Sequence, residues 1–302
     1  MDIILQKLIY TGNTCFFKLF AAWRMHFILL AFLFSGVYMG SAQTINFMTY
    51  NIRYATSNDG ENQWEKRKEY LSEQVGFFSP DIFGIQEGLE HQVAYINEQF
   101  STYNFIGVGR DDGERKGEYC AIFYDQEKFD LLGQDTFWLS SSPEKVSVGW
   151  DASMERICTY GFFMEKATGK MFWVFNTHFD HIGELARVES AKLIVQKIKE
   201  INKDDLPVIV MGDFNLNEQS GAIQYLSSIY NDSRSASVNP PFGPFGTFNG
   251  FKFHEPVQDR IDYIFCSKDN IRVEKYAVLT DSKDGKYPSD HFPVFVEIKL
   301  KE

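Results

Sequence analysis

A chain of 302 residues, 44% hydrophobic and 16% aromatic, has enough apolar material for a large core and does not have the composition of a disordered chain. Its formal net charge of −11 argues against broad electrostatic capture of nucleic acid, because such binding rests on Lys and Arg neutralising phosphates. A small or pre-neutralised phosphate ligand suits this balance better, unless a local basic patch overrides the total.

The N-terminal stretch stands apart. "FILLAFLFSGVYMGSAQ", Phe27 to Gln43, is an apolar run with Lys18 and Arg24 upstream and small residues at its end. It is too short for a membrane span of roughly 20 residues. The pattern predicts a secretory signal over residues 1–42, cleaved after Ala42, and a secreted or periplasmic protein; an uncleaved anchor and a start at Met25 are the alternatives. Loss of that segment removes Lys7, Lys18 and Arg24 against Asp2, and takes the net charge from −11 to −13. Residues 43–302 would then form one domain, with no stable membrane insertion.

Along that domain, eight runs read as strands: "INFMTYNI", "DIFGIQE", "EYCAIFY", "CTYGFFME", "MFWVFNTH", "PVIVMGD", "RIDYIFC" and "FPVFVEIKL". Two stretches read as amphipathic helices. "QWEKRKEYLSEQVGFF" carries Trp64, Leu71, Val75 and Phe78 on one stripe, and "ELARVESAKLIVQKIKEI" carries Leu185, Val188, Val195, Ile198 and Ile201. Several strands are apolar on both alternating sets, which implies sheets covered on both faces. The expected architecture is an α/β sandwich of two packed sheets with helices outside. Cys120, Cys158 and Cys266 sit inside apolar runs, an odd number without zinc spacing, and read as core residues. The Phe-rich stretch "NPPFGPFGTFNGF" is a loop that either packs over the core or lines a pocket.

Polar residues repeatedly punctuate these buried runs. Asn51, Glu87, Glu118, Asn176, His178, Asp180, Asp213, Asn215, Asp262, Asp290 and His291 all fall at or near strand ends. Any one of them could be a cap or a solvated tip. So many carboxylates at strand edges, however, need a compensating charge, and a divalent cation supplies it economically. In "MGDFN", Asp213 and Asn215 lie two apart, a spacing that in an extended segment puts both on one face.

The ordered motifs "YNIR", "QE", "NTH", "GDFN", "RIDYIF" and "SDHFPV", spread from Ile45 to Leu300, resemble the endonuclease/exonuclease/phosphatase superfamily, the deoxyribonuclease I-like metal-dependent phosphohydrolases. "VGRDDGERKGEYCAIFY" and "GWDASMERICTY" further resemble a bacterial secreted branch near the nocturnin and carbon-catabolite-repressor type. The resemblance implies a four-layer sandwich of two packed mixed β-sheets flanked by helices. It implies Glu87 as principal metal ligand with Asn51 beside it, Asp290 as a further ligand, and Mg²⁺ as the ion, with Mn²⁺ as its substitute. Asp213 would deprotonate the attacking water and Asn215 would donate to the charge developing at phosphorus. His291 held by Asp262, and His178 held by Glu118, would flank the phosphate as two imidazole–carboxylate pairs. Arg156, Tyr119 and Trp150 complete the set as candidate substrate contacts, with Tyr119 competing with Glu118 for one phosphate-side role. The leading reading is a secreted Mg²⁺-dependent phosphohydrolase that cleaves a phosphodiester or phosphomonoester by in-line attack of water. A nuclease acting on DNA or RNA is the alternative, and a silent binding module on the same scaffold the third. A small phosphorylated substrate is favoured over a long nucleic acid, and no sequence feature points to a protein partner.

Overall fold

Runs such as Val208–Met211 are apolar toward both faces and can be satisfied only inside a stack of layers, where all four residues are buried. The computed structural model describes residues 44–301, and the expected leader over residues 1–42 lies outside the described residues. In chain order the elements are β1 (Thr44–Asn51), α1 (Trp64–Phe78), β2 (Ile82–Gln86), α2 (Glu90–Gln99), β3 (Tyr103–Ile106), β4 (Ile122–Asp125), β5 (Phe129–Trp138) and β6 (Ile157–Glu165). There follow β7 (Met171–His178), α3 (Glu184–Ile201), β8 (Val208–Asp213), α4 (Gly221–Ile229), β9 (Asn231–Asp232), α5 (Ser233–Ala236), β10 (Asp262–Cys266), β11 (Ile271–Val278) and β12 (Val294–Leu300).

Two six-stranded sheets result, ordered β11-β12-β1-β2-β4-β3 and β5-β6-β7-β8-β10-β9. Each holds one parallel pair, β1 with β2 and β7 with β8, among antiparallel neighbours. The inner faces meet in a core that includes Phe47, Val174, Met211, Ile264 and Val296. On the outside of the first sheet, Trp64, Leu71 and Val75 of α1 and Val93 and Ile96 of α2 form a second apolar layer. On the outside of the other sheet, Ile194, Val195 and Ile198 of α3 pack with Ala222 and Leu226 of α4. This is the four-layer sandwich of two packed mixed β-sheets flanked by helices. Leu185, expected on the buried stripe of α3, is exposed; the buried face runs through Ala186, Ala191 and Ile194 instead. Cys120, Cys158 and Cys266 are free and buried.

All eight strands expected from the sequence are present. The four that were not expected, β3, β5, β9 and β11, are the four edges of the two sheets. An edge strand buries less and carries a weaker pattern: β5 alternates buried, half-buried and exposed positions and β11 shows exposed Arg272 and Lys275.

The two sheets are also tied by a polar bridge. Asn176 of β7 donates from Nδ2 to the carbonyls of Ile85 and Ala121, both at 2.9 Å, in the opposite sheet. Its Oδ1 accepts from Gln86 Nε2 at 2.6 Å. Gly84 makes room for it, since a Cβ there would stand 2.6 Å from Asn176 Cγ. Asn176 thus braces the strand ends and is not a cleft residue. Replacing Asn176 with Ala removes three buried hydrogen bonds, to the Ile85 and Ala121 carbonyls and from Gln86 Nε2, and should cost about 2–4 kcal/mol in a denaturant titration at unchanged m-value.

Candidate active site

The strand register assembles a row of candidate site residues. His178 at the end of β7 pairs with Asp213 at the end of β8, and Asp213 pairs with Asp262 at the start of β10. The "GDFN" sequence has a local reason at each position. A Cβ on Gly212 would lie 2.0 Å from the Thr177 carbonyl, so only glycine lets β8 approach β7 this closely. Asp213 closes an Asx turn by accepting at Oδ1 from the Asn215 backbone N–H at 2.9 Å. Phe214 is buried edge-to-face against Phe179, Tyr263 and Phe265, and Asn215 takes a left-handed conformation at φ 51°.

Asp213 is buried, and its Oδ2 accepts from Asn51 Nδ2 at 2.9 Å. Burial, and after it the neighbouring Asp262, push its carboxyl up to about 7. The two histidines diverge. Burial alone would depress His291, but Asp262, hydrogen bonded to its Nδ1 at 2.9 Å, and Asp213 beyond it hold the imidazole well above its ordinary value. Burial drives His178 the other way, with Arg156 and Arg110 adding to the effect, so that ring is neutral. Its Nε2 faces Asn215 Nδ2 at 3.0 Å, and that amide nitrogen also donates to the Phe179 carbonyl at 3.1 Å. An amide nitrogen so placed is a donor, which makes His178 Nε2 the acceptor and leaves its proton on Nδ1.

The opposite wall comes from the other sheet. Asn51 at the end of β1 donates from the same Nδ2 to Glu87 Oε1 at 3.0 Å, and its Oδ1 accepts from the Arg53 N–H. Asn51 therefore orients Glu87 and Asp213 and does not present an oxygen to the cleft. Glu87, just beyond β2, is left-handed at φ 63° and takes the Tyr54 N–H on Oε2 at 3.1 Å. Asp290 joins it from the segment before β12, with Ser289 Oγ donating to the Asn51 carbonyl at 2.7 Å to fix that segment. Burial raises the Asp290 carboxyl, and nearby Glu87 raises it further against the pull of His291 and Arg53. Two hard oxygen donors crowded in one cleft, with no thiol among the residues lining it, fit a small divalent cation. Asp213, Asp262 and His291 also bring ligand atoms within 4.8 Å of one another. There, however, His291 Nδ1 is already bonded to Asp262, and Asp262 stands behind the cleft, whereas Glu87 and Asp290 both line it, so the Glu87–Asp290 wall is the better metal seat.

Both walls open on a cleft of about 640 Å³. Glu87, Glu118, Arg156, His178, Asp213, Asn215, Asp290 and His291 line it, while Asn51 and Asp262 stand just behind. Four expected roles are revised. Glu118 Oε2 lies 3.9 Å from His178 Nδ1, beyond hydrogen-bond reach, and instead binds Arg110 Nη1 at 2.6 Å. Asn215 has committed both amide hydrogens to His178 and Phe179 and so positions the imidazole instead of facing phosphorus. Tyr119 turns away from the cleft, its hydroxyl donating to the Glu114 carbonyl at 3.0 Å and its ring packed in the outer core of the first sheet. Trp150 is an exposed left-handed turn residue that does not line the cleft. Asp180 is structural: it accepts from the Ile182 and Gly183 N–H groups and from Ser153. Two arginines that line the cleft, Arg53 and Arg110, carried no expected role, although both lie within the quoted motifs. Their signal was the positive charge itself, held beside Glu87 and Glu118 in an acidic chain.

The sequence profile described as "Endonuclease/Exonuclease/phosphatase family" matches residues 48–291. Among solved structures, an endonuclease/exonuclease/phosphatase family protein from Bacteroides thetaiotaomicron is 40% identical with a TM-score of 0.81, over 86% of this chain and 99% of that one. A mannosyl-6-phosphatase from Bacteroides thetaiotaomicron VPI-5482 is also 40% identical, with a TM-score of 0.80 over 85% of this chain and 100% of that one. The Ccr4 exoribonuclease subunit of the CCR4-Not complex from Mycosarcoma maydis is 21% identical over 340 residues, 86% of this chain but only 51% of that relative, so the chain spans about half its length. With the profile running from β1 to His291 and the strand ends gathered into one acidic and imidazole-bearing cleft, the chain belongs to the endonuclease/exonuclease/phosphatase family, whose members are hydrolases of phosphoric esters.

Proposed function

We propose that the protein is an exported phosphatase that removes a terminal phosphate from a small phosphorylated molecule of the sugar-phosphate class, with Mg²⁺ at Glu87 and Asp290. One observation carries the reading. Three buried nitrogens on residues lining the cleft, Arg110 Nε, Arg156 Nη1 and His178 Nδ1, have no hydrogen-bond partner. Arg110, Arg156 and His178 line one cleft, and a phosphate oxygen is the acceptor that cationic and N–H groups gathered in this way suit. The overall charge of −11 supports a compact ester over a polyanion, and the similar mannosyl-6-phosphatase supports a sugar phosphate. The apolar run before Ala42 supports export.

A divalent ion held by Glu87 and Asp290 would act as a Lewis acid on the phosphoryl oxygens. The chain's own groups do the rest. Asp213, with one oxygen on Asn51 and the other on the Asn215 N–H, takes the proton of the attacking water at Oδ2, and its raised pKa matches that task near neutral pH. His291, kept cationic by Asp262, offers its Nε2 proton to the phosphoryl group as charge builds and yields it to the departing ester oxygen when the P–O bond breaks, so that the sugar leaves as the alcohol. Neutral His178, fixed by Asn215, donates from Nδ1. Arg156, buried and anchored by Asp180 at 3.4 Å and His181 at 3.0 Å, orients the phosphate.

The purified protein, assayed against hexose 6-phosphates, nucleotides, phosphodiesters, DNA and RNA, should release inorganic phosphate fastest from the sugar monoesters. Faster cleavage of DNA or RNA would replace this reading with a nuclease. EDTA should abolish turnover and added Mg²⁺ or Mn²⁺ should restore it. Asp213→Asn should lower kcat by about 10³-fold with the melting transition preserved, and Asp262→Asn, which withdraws the partner of His291, by about 10²-fold. Full activity in Asp213→Asn would sink the mechanism.

A further inference from the structure

Arg53 is held more firmly than any surface arginine needs to be. It sits at φ 56°, a left-handed conformation in which an L-residue crowds its own Cβ. Five partners hold the residue in place. Its N–H donates to Asn51 Oδ1 at 3.0 Å, and its carbonyl accepts from Arg67 Nη2 at 2.6 Å and Gln92 Nε2 at 3.0 Å. Its guanidinium is gripped bidentately by Asp59 at 2.9 and 3.0 Å and lies 4.3 Å from the centre of the Tyr54 ring. So fixed, Nη1 stands 3.7 Å from Glu87 Oε2 and Nε 3.9 Å from Asp290 Oδ2.

We propose that Arg53 is a built-in cation of the metal site: standing within 4 Å of both Glu87 and Asp290, it offsets part of their charge and restricts the site to one divalent ion. The inference rests on the metal seat assigned above. Glu87, Asp290 and Asp59 carry −3 and Arg53 offsets one of those charges, so a second divalent ion meets less negative charge than the three carboxylates alone would offer. The guanidinium cannot leave by deprotonation, because arginine stays charged throughout the working range. It also cannot swing away cheaply, because Asp59 and the left-handed backbone hold it.

Calorimetric titration of Mn²⁺ into the metal-free full-length chain tests this without reference to turnover. The wild type should bind one ion. Arg53→Gln should bind the first ion about tenfold more tightly, the factor that relieved charge repulsion of this order gives, and should admit a second. Asp59→Asn leaves the guanidinium charge uncompensated and should weaken binding about tenfold, whereas Arg53→Lys should keep one ion at near wild-type affinity. The opposite signs matter: a purely structural Arg53 would weaken binding in both Arg53→Gln and Asp59→Asn. Two ions in the wild type, or Arg53→Gln and Asp59→Asn shifting in the same direction, would overturn the proposal. If metal-free Arg53→Gln does not melt cooperatively, the other two variants decide: weakening in Asp59→Asn with wild-type behaviour in Arg53→Lys supports it, and any other pattern overturns it. Absence of all Mn²⁺ binding in the wild type would instead remove the metal seat itself.

Discussion

The hydrogen bond from Asn51 to Asp213, 2.9 Å long, is the point on which the site depends, because it crosses from one sheet to the other. Asn51 ends β1 in the first sheet and Asp213 ends β8 in the second. Each sheet alone offers half a site: Glu87 and Asp290 on one side, the His178–Asp213–Asp262 row on the other. A buried carboxylate without partners costs several kcal/mol, so Asp213 can occupy this seam only while Asn51 and the Asn215 N–H supply its hydrogen bonds. The same amide nitrogen bonds Glu87. One side chain thereby sets the spacing between the wall that suits a cation and the wall that suits a water.

That spacing also sorts the two imidazoles. His291 and His178 are both buried beside Asp213, yet the carboxylates near them are differently employed. Asp262 lies 2.9 Å from His291 and, among the described residues, is in contact with no competing cation, so its charge acts on the ring. Glu118 is nearer to Arg110 than to His178, and the arginines on that side repel a proton from the ring. Burial depresses both rings, and only His291 has a hydrogen-bonded carboxylate to overcome it, so two residues of one chemical type become a cation and a neutral donor.

Most of this was legible in the sequence, and what was not follows one rule. The eight strands visible as apolar runs are the eight interior strands, each flanked on both sides and each buried along at least one face. The four edge strands read as ordinary polar chain because half of each is solvated. Site residues at interior strand ends were visible for the same reason: Asp213, Asp262 and His178 interrupt buried runs. Pairings were less legible, since Glu118 and His178 come together through a loop whose other occupant, Arg110, is eight residues from Glu118. Arg53 and Arg110 escaped notice because a net charge sums over the surface, whereas a cleft gathers a few charges locally. Trp150 and Tyr119 drew attention as aromatic side chains near motif residues, but alternation sent Tyr119 to the face opposite Glu118.

Backbone strain is concentrated where those charges meet. Arg53, Glu87 and Asn215 are all left-handed non-glycine residues, and each lies one or two residues beyond the end of a strand of a parallel pair: β1, β2 and β8. Strand ends of this kind normally drift outward into loops. A left-handed residue turns the chain back at once, and so keeps the next side chains inside the cleft instead of releasing them to solvent. Glycine would make each turn without strain, but glycine has no carboxylate, guanidinium or amide to aim. The fold therefore accepts about 1–2 kcal/mol at each of three positions and offsets it with the core packed between the sheets and with hydrogen bonds at the turns themselves. Those bonds, Tyr54 N–H to Glu87, Asn215 N–H to Asp213 and Arg53 N–H to Asn51, all run to site side chains. The turn that carries each functional group is thus also what holds the next one in place, which is why the site behaves as one unit and not as a collection of strand tips.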